Sequence, residues 1–189
     1  MGCVRAAHSA LGDYMERLNL YTLDMKYVRD LAKHDDNVMS ISPQTSKQNR
    51  PFVGLVIICN ERRYCIPLSS PKPKHQNMRN AVDFSRIIDR HGKLIGVLNF
   101  NNMIPVDETV VRRINLSTRP NDSAETRHYK ALLNDQLDWC NENRETVTRK
   151  ANRLYEQVTK HPERSRNLVR RCCNFKLLEH VLDNRSEQR

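Results

Sequence analysis

Phe52-Val53-Gly54-Leu55-Val56-Ile57-Ile58-Cys59 is the longest apolar run in the chain. It is short and rich in β-branched residues, so it reads as a buried strand. Asn60-Glu61-Arg62 turns it, and Arg63 to Leu68 returns beside it as the partner of a hairpin. Upstream, Leu20 to Leu23 is a short strand. Asp24 caps a helix from Met25 to His34 that carries Tyr27, Val28 and Leu31 on one face. Asp35 to Arg50 is polar, contains Pro43 and has no period. It reads as a loop of a length that is uncommon in a compact domain and often functional. Downstream, Ser69 to Asn80 is a second loop, rich in Pro and Lys. Phe84 to Ile88 and Leu94 to Phe100 form another hairpin turned by Gly92, and Met103 to Val106 and Thr109 to Ile114 add short strands.

After Pro120 the period changes from strand-like to helical. Tyr129, Leu132, Leu133, Gln136, Leu137 and Cys140 share one helical face, and Val147, Ala151, Leu154, Tyr155 and Val158 share a second. Pro162 ends that second helix, Ser165 to Arg171 is helical, and Phe175 to Leu182 is a last short helix. A β-rich half followed by a helical half predicts an α+β domain: a small curved antiparallel sheet with helices packed against it. Residues 1–18 read as a loosely attached extension and 19–189 as a single domain.

The 189 residues suit one core, and 38% of them are hydrophobic. The longest apolar run is far below the roughly 20 residues that span a bilayer, and the first residues lack a signal peptide's apolar segment, so a soluble, cytoplasmic protein is expected. With 32 Lys and Arg against 22 Asp and Glu, the net charge of +10 favours polyanionic partners such as nucleic acid. The six cysteines form no C-x-x-C pair, and Cys172-Cys173 are adjacent, so all six read as reduced thiols. No phosphate-binding glycine motif is present. No carboxylate cluster of the kind a two-metal nuclease needs is visible either, so neither metal nor cofactor is expected.

The chemistry concentrates in Ser69-Ser70-Pro71-Lys72-Pro73-Lys74-His75. Two hydroxyls, two ammonium groups and an imidazole within seven residues suit a phosphate: hydroxyls donate to its oxygens and Lys supplies charge. Pro71 and Pro73 stiffen the loop. The same residues could equally form a solvated basic turn. Tyr27 could stack on a base or bond a phosphate, although such a Tyr is more often amphipathic packing. Lys47 and Arg50 end the first long loop and could reach the same phosphate. From Arg144 to Arg171 nine Lys or Arg stand against three Glu. Arg149, Lys150 and Arg153 avoid the apolar face of their helix, which suggests an RNA-backbone stripe or an ordinary solvated face.

The sequence resembles the ToxN family, with its AbiQ and CptN branches, along nearly everything after residue 18. The resemblance rests on Leu20-Tyr21-Thr22 with Tyr27, His34-Asp35-Asp36-Asn37-Val38, and Arg50-Pro51-Phe52-Val53-Gly54. Its centre is Pro67-Leu68-Ser69-Ser70-Pro71-Lys72 with His75. Gly96-Val97-Leu98-Asn99, Met103-Ile104-Pro105-Val106 and Cys173-Asn174-Phe175-Lys176-Leu177-Leu178-Glu179 complete it.

This resemblance implies an SH3-barrel-like sheet related to the MazF and Kid toxins. It implies a type III toxin that cleaves cellular mRNA without metal and leaves a 2′,3′-cyclic phosphate and a 5′-hydroxyl. It also implies a small repeated pseudoknot RNA as antitoxin, which the toxin processes and with which it assembles into closed complexes. The active-site positions it implies are Tyr27, Arg50, Ser69, Ser70 and Lys72. The family often has Lys where this chain has Arg50. An Arg keeps its proton and would stabilise charge, so Lys47 is a lesser alternative there. His75 and Lys72 are the candidates for moving protons. A non-catalytic RNA-binding module is the alternative function.

Overall fold

The computed structural model describes residues 17–39 and 53–187. Lys47 and Arg50, and the extension up to residue 16, lie outside the described residues. The apolar run does form the central strand, β2 (Val53–Cys59), and its hairpin partner is β3 (Arg62–Ser69). Their register pairs Cys59 with Arg62, so the turn is Asn60-Glu61 alone, with φ of 49° and 64°. Two successive positive φ values make the tight turn whose twist matches a hairpin, and Asn tolerates that region better than most residues. Arg62, expected in the turn, instead belongs to the strand.

β1 (Leu20–Leu23) pairs with β2 on one side and with β7 (Val111–Arg113) on the other. β3 changes neighbours along its length. Tyr64 and Cys65 pair with β6 (Ile104–Pro105), whereas Leu68 and Ser69 pair with β5 (Leu94–Asn99). Pro67, which has no N–H to give a ladder, falls between the two partners. β4 (Phe84–Ile88) closes the far edge, so the seven antiparallel strands run β4-β5-β3-β2-β1-β7 with β6 on β3.

The helices are α1 (Met25–Ala32), α2 (Ala124–Glu142), α3 (Arg144–Thr159), α4 (Arg166–Arg171) and α5 (Phe175–Glu187). The last runs beyond the expected Leu182, and Phe100 leaves β5 for a 3-10 turn. Asp24 caps α1 by accepting from the Lys26 amide at 2.8 Å. Gln136 of α2 is buried and donates to the Ile95 carbonyl at 2.6 Å. A Cβ on Gly96 would fall 2.7 Å from that amide nitrogen, so a side chain there would push the Gln136 amide away from the Ile95 carbonyl.

One buried cluster joins sheet and helices. At its centre Tyr155 of α3 stacks on Phe175 of α5 at 5.7 Å, and both meet Tyr64 of β3 edge-on at 5.8 Å. Leu18, the last residue of the expected extension, packs into this core and its amide donates to Asn141 Oδ1 at 2.8 Å. Among the described residues, no helix is long and apolar enough to cross a membrane.

Candidate active site on the loop after β3

The β3 strand delivers Ser69 to the end of the sheet, and Ser70 to Lys72 continue from it. Ser69 lies opposite Val97, and Val97 lies opposite Arg86, so all three occupy one rung and one face. That face carries a second, small apolar cluster of Phe84, Leu94 and Val97. The loop folds back over it as a 3-10 turn spanning Pro73–Gln76. The His75 ring sits 5.5 Å from the Phe84 ring, and Arg86 Nη1 donates to the Gln76 carbonyl at 2.9 Å. The Arg86 amide meets Asn80 Oδ1 at 2.8 Å, which fixes the loop's far end.

Ser69 Oγ accepts from Asn99 Nδ2 at 3.1 Å, leaving the hydroxyl hydrogen free to be donated elsewhere. Ser70, Pro71, Lys72 and Lys74 are exposed, while His75 is buried. Within the loop the Lys72 amide donates to His75 Nδ1 at 3.0 Å, and the His75 amide donates to the Lys72 carbonyl at 2.8 Å. Hydroxyls and ammonium groups thus stand on an open surface above a stiff scaffold, an arrangement that suits a polymer's phosphate better than an enclosed small molecule. Among the described residues, no three His, Cys, Asp or Glu side chains gather where a metal could sit.

Tyr27 is not part of this group. Its ring is fully buried, its hydroxyl donates to the Pro105 carbonyl at 2.7 Å, and the Arg185 guanidinium lies 5.5 Å from the ring. Burial pushes its hydroxyl's pKa up. Pro105 pairs with Tyr64, five residues before Ser69 on β3, which at about 3.3 Å per residue is roughly 17 Å away. An enclosed ring offers no face for a base to stack on, so in this arrangement Tyr27 anchors α1 to the sheet.

The helical stripe divides in two. Arg149 and Arg153 are exposed. Lys150, expected beside them, is half-buried: its Nζ donates to Ser85 Oγ at 2.6 Å and to the Phe84 carbonyl at 3.2 Å, and it lies 5.9 Å from the Phe100 ring. Burial holds its ammonium below the ordinary lysine value, with Asp83 opposing that shift. A long stem let this cation reach from the helix flank to the sheet. Lys150→Met should therefore lower stability by about 1–3 kcal/mol through the lost charged hydrogen bonds. It should leave the salt dependence of RNA binding unchanged, whereas Arg149→Ala with Arg153→Ala should flatten it. Urea melts and titrations across salt check this; a flattened slope in Lys150→Met would return that residue to the RNA surface.

Two residues that the sequence reading passed over join the site. Asn99 closes the Gly96-Val97-Leu98-Asn99 run, and Arg86 is the one charged residue in the apolar strand Phe84–Ile88. A charge alternating inward in such a strand was the available signal. A further groove of about 680 Å³ is lined by Arg164, Arg166 and Arg171 together with Glu163, Gln157 and Val82, and two of its cations are paired, Arg164 with Glu163 and Arg171 with Asp83.

Residues 19–183 match the family model for toxin ToxN, type III toxin–antitoxin system. The chain belongs to the ToxN family. It is 31% identical to the endoribonuclease ToxN of Bacillus thuringiensis subsp. kurstaki over 162 residues, covering 84% of this chain and 79% of that protein. It is 28% identical to the endoribonuclease ToxN of Pectobacterium atrosepticum over 165 residues, covering 86% and 90%. A solved chain from work on selective toxin inhibition by a non-coding RNA pseudoknot superposes with a TM-score of 0.75 at 25% identity. It covers 91% of this chain and 99% of its own length. The ToxN match takes in both the loop after β3 and the Tyr64–Tyr155–Phe175 core.

Proposed function

We propose that this protein is an endoribonuclease toxin of a type III toxin–antitoxin pair, and that Ser69, Ser70 and Lys72 form the heart of its active site. The observation that carries the reading is the Ser69–Lys72 loop. It leaves a sheet end braced by Asn99, Arg86 and Phe84, in a chain whose relatives are endoribonucleases.

In this reading the ribose 2′-hydroxyl gives up its proton as its oxygen forms a bond to the adjacent phosphorus, and the bond to the 5′-oxygen of the next nucleotide breaks as that oxygen takes up a proton. The products are a 2′,3′-cyclic phosphate and a 5′-hydroxyl, and the nucleophile belongs to the substrate. The protein's task is to hold the phosphate in line and stabilise the added negative charge. Ser69, its oxygen occupied by Asn99, donates its hydrogen to one phosphate oxygen. Ser70 donates to another, and Lys72 supplies positive charge. Arg50 or Lys47, outside the described residues, would add a second cation. Lys74, Arg149 and Arg153 would meet neighbouring phosphates.

The partners that fit are a folded pseudoknot RNA as antitoxin, assembled with the toxin into closed complexes, and cellular mRNA as substrate. One clean RNA end of the antitoxin would lie at Ser70 and Lys72, since it is itself a product. Buried free thiols at Cys59, Cys65, Cys140, Cys172 and Cys173 support a reducing, cytoplasmic setting. The division of β3 between β2 with β6 and β5 with β4 supports an SH3-like curl of the sheet. The continuous core supports one domain over 19–189.

Cleavage should persist in EDTA and stop on an RNA with a 2′-deoxy nucleotide at the cut site. The products should carry cyclic phosphate ends. A purified protein that binds RNA but yields no such ends would be a binding module. Activity lost in EDTA and restored by Mg²⁺, on an RNA whose fold needs none, would make it a metal-dependent nuclease.

A further inference from the structure

The way His75 is held separates two roles open to it. Its Nδ1 accepts the Lys72 amide at 3.0 Å, so that nitrogen carries no proton and the ring is the neutral tautomer with its hydrogen on Nε2. The ring is 6% exposed and rests on Phe84 of β4. The charges acting on it, those of Lys74 and Lys72 in its own loop, are positive, and from β4 Arg86 ties down the next residue through the Gln76 carbonyl. Burial first, and then these two lysines, hold its pKa below the ordinary histidine value.

We propose that His75 is a positioning residue for RNA cleavage: its neutral imidazole holds the Lys72 amide, and so fixes the backbone from which the Ser70 hydroxyl and the Lys72 ammonium reach the phosphate. It carries no proton of the reaction. This rests on the reading of the loop as the cleaving site. A proton-transferring histidine needs a free nitrogen lone pair. Here one lone pair is spent on the loop and the other nitrogen already bears hydrogen. Protonation would turn Nδ1 into a donor facing the donor of Lys72 and would place a charge among two lysines. The loop bond is therefore intact above about pH 6.5, the ordinary histidine value, and is lost as pH falls below it through the depressed value of the folded protein.

Three substitutions test the proposal. His75→Asn places a carbonyl oxygen where Nδ1 stands and cannot carry a proton at these pH values. His75→Ala removes the acceptor, and His75→Gln moves it outward. Cleavage of a purified RNA should fall on the order of 10²-fold in His75→Ala and His75→Gln, the scale of an ångström's misplacement. His75→Asn should recover most of the rate, and its rate should no longer fall with acid below about pH 6.5 as the wild type's does. His75→Asn as inactive as His75→Ala, or one keeping the wild-type acid limb, overturns the proposal. If the variants do not fold, nitrogen-15 shifts of the wild-type His75 ring decide: a protonated Nδ1 at neutral pH overturns it, and an unprotonated one sustains it. Lys72→Ala cleaving at the wild-type rate would instead remove the loop from catalysis. The nitrogen-15 measurement would then still report on the His75–Lys72 bond.

Discussion

Lys72→Ala is expected to lower kcat/KM for RNA by about 10²–10³-fold, the range found when one donor to a transition-state oxyanion is removed, with the melting temperature unchanged. Ser70→Ala should fall in the same range. Both side chains are exposed, and the bonds that shape the loop are made by its backbone, by His75 and by Arg86. Truncating either therefore subtracts from the chemistry without loosening the scaffold. Charge on the phosphate rises between bound RNA and transition state, so the loss should appear in kcat at saturating RNA more than in affinity. Ser69→Ala should act less cleanly, because it also strands the Asn99 amide that Ser69 now accepts. Single-turnover rates and circular dichroism on the same preparations check this. Wild-type rates in both Lys72→Ala and Ser70→Ala would mean that RNA is cut elsewhere on the protein.

The second large effect is on stability. Glu179 is 5% exposed, yet Tyr64 donates to its Oε1 at 2.7 Å, Tyr155 donates to the same oxygen at 2.8 Å, and Lys176 meets Oε2 at 3.0 Å. Burial alone would push this carboxyl up. The hydrogen bonds from Tyr64, Lys176 and Tyr155 outweigh it and hold the group below the ordinary carboxylate range. Glu179→Ala opens a cavity and leaves two phenol hydrogens in the core without an acceptor, while the Lys176 ammonium, 57% exposed and 5.3 Å from the Tyr155 ring, turns to water. About 2–5 kcal/mol should be lost, at about 1–3 kcal/mol for each buried donor left without a partner, with the cavity in addition. At about 2–4 °C per kcal/mol for a chain of this size, the melting temperature should drop by roughly 10 °C.

The sign with pH follows from the depressed value. The contribution of Glu179 is present above the ordinary carboxylate pKa and is lost as pH falls through the lower value of the folded state. The gap between wild type and Glu179→Ala should therefore be full at pH 7 and narrow in strong acid. Cleavage measured well below the melting temperature should change little, because Glu179 ties helices to the sheet and touches no part of the loop. A melting temperature within a degree or two of wild type would show that the network adds nothing to stability.

Local patterns in the sequence were enough for several features. A continuous apolar, β-branched run marks β2 as a strand, but not as one buried on both faces: Leu55, Ile57 and Cys59 face the core, whereas Val56 is half-buried and Ile58 is 67% exposed. A 3.6-residue apolar period marks α2 and α3 because one face of a helix meets the core. Hydroxyls and ammonium groups packed between prolines mark the loop after β3, because those groups can serve a phosphate wherever the chain is placed. In each case the physical cause lies within one element.

The surroundings of Tyr27, Lys150 and His75 are given only by the tertiary structure. Each has an apolar body and a polar tip, so its pattern in the sequence is compatible with a solvent-facing site as well as with the interior. What distinguishes the two surroundings is the atom opposite the tip. The Tyr27 hydroxyl finds the Pro105 carbonyl 78 positions away, and the Lys150 ammonium finds Ser85 65 positions away. Even His75, bonded three positions back to Lys72, is buried by Phe84 from the next hairpin. Periodicity states which face of an element is apolar but carries no information about which polar atom another element will bring to it. The site's frame of Asn99, Arg86 and Phe84 likewise exists only once β3 trades β6 for β5 beyond Pro67, a choice of neighbour made by packing among strands far apart in the chain.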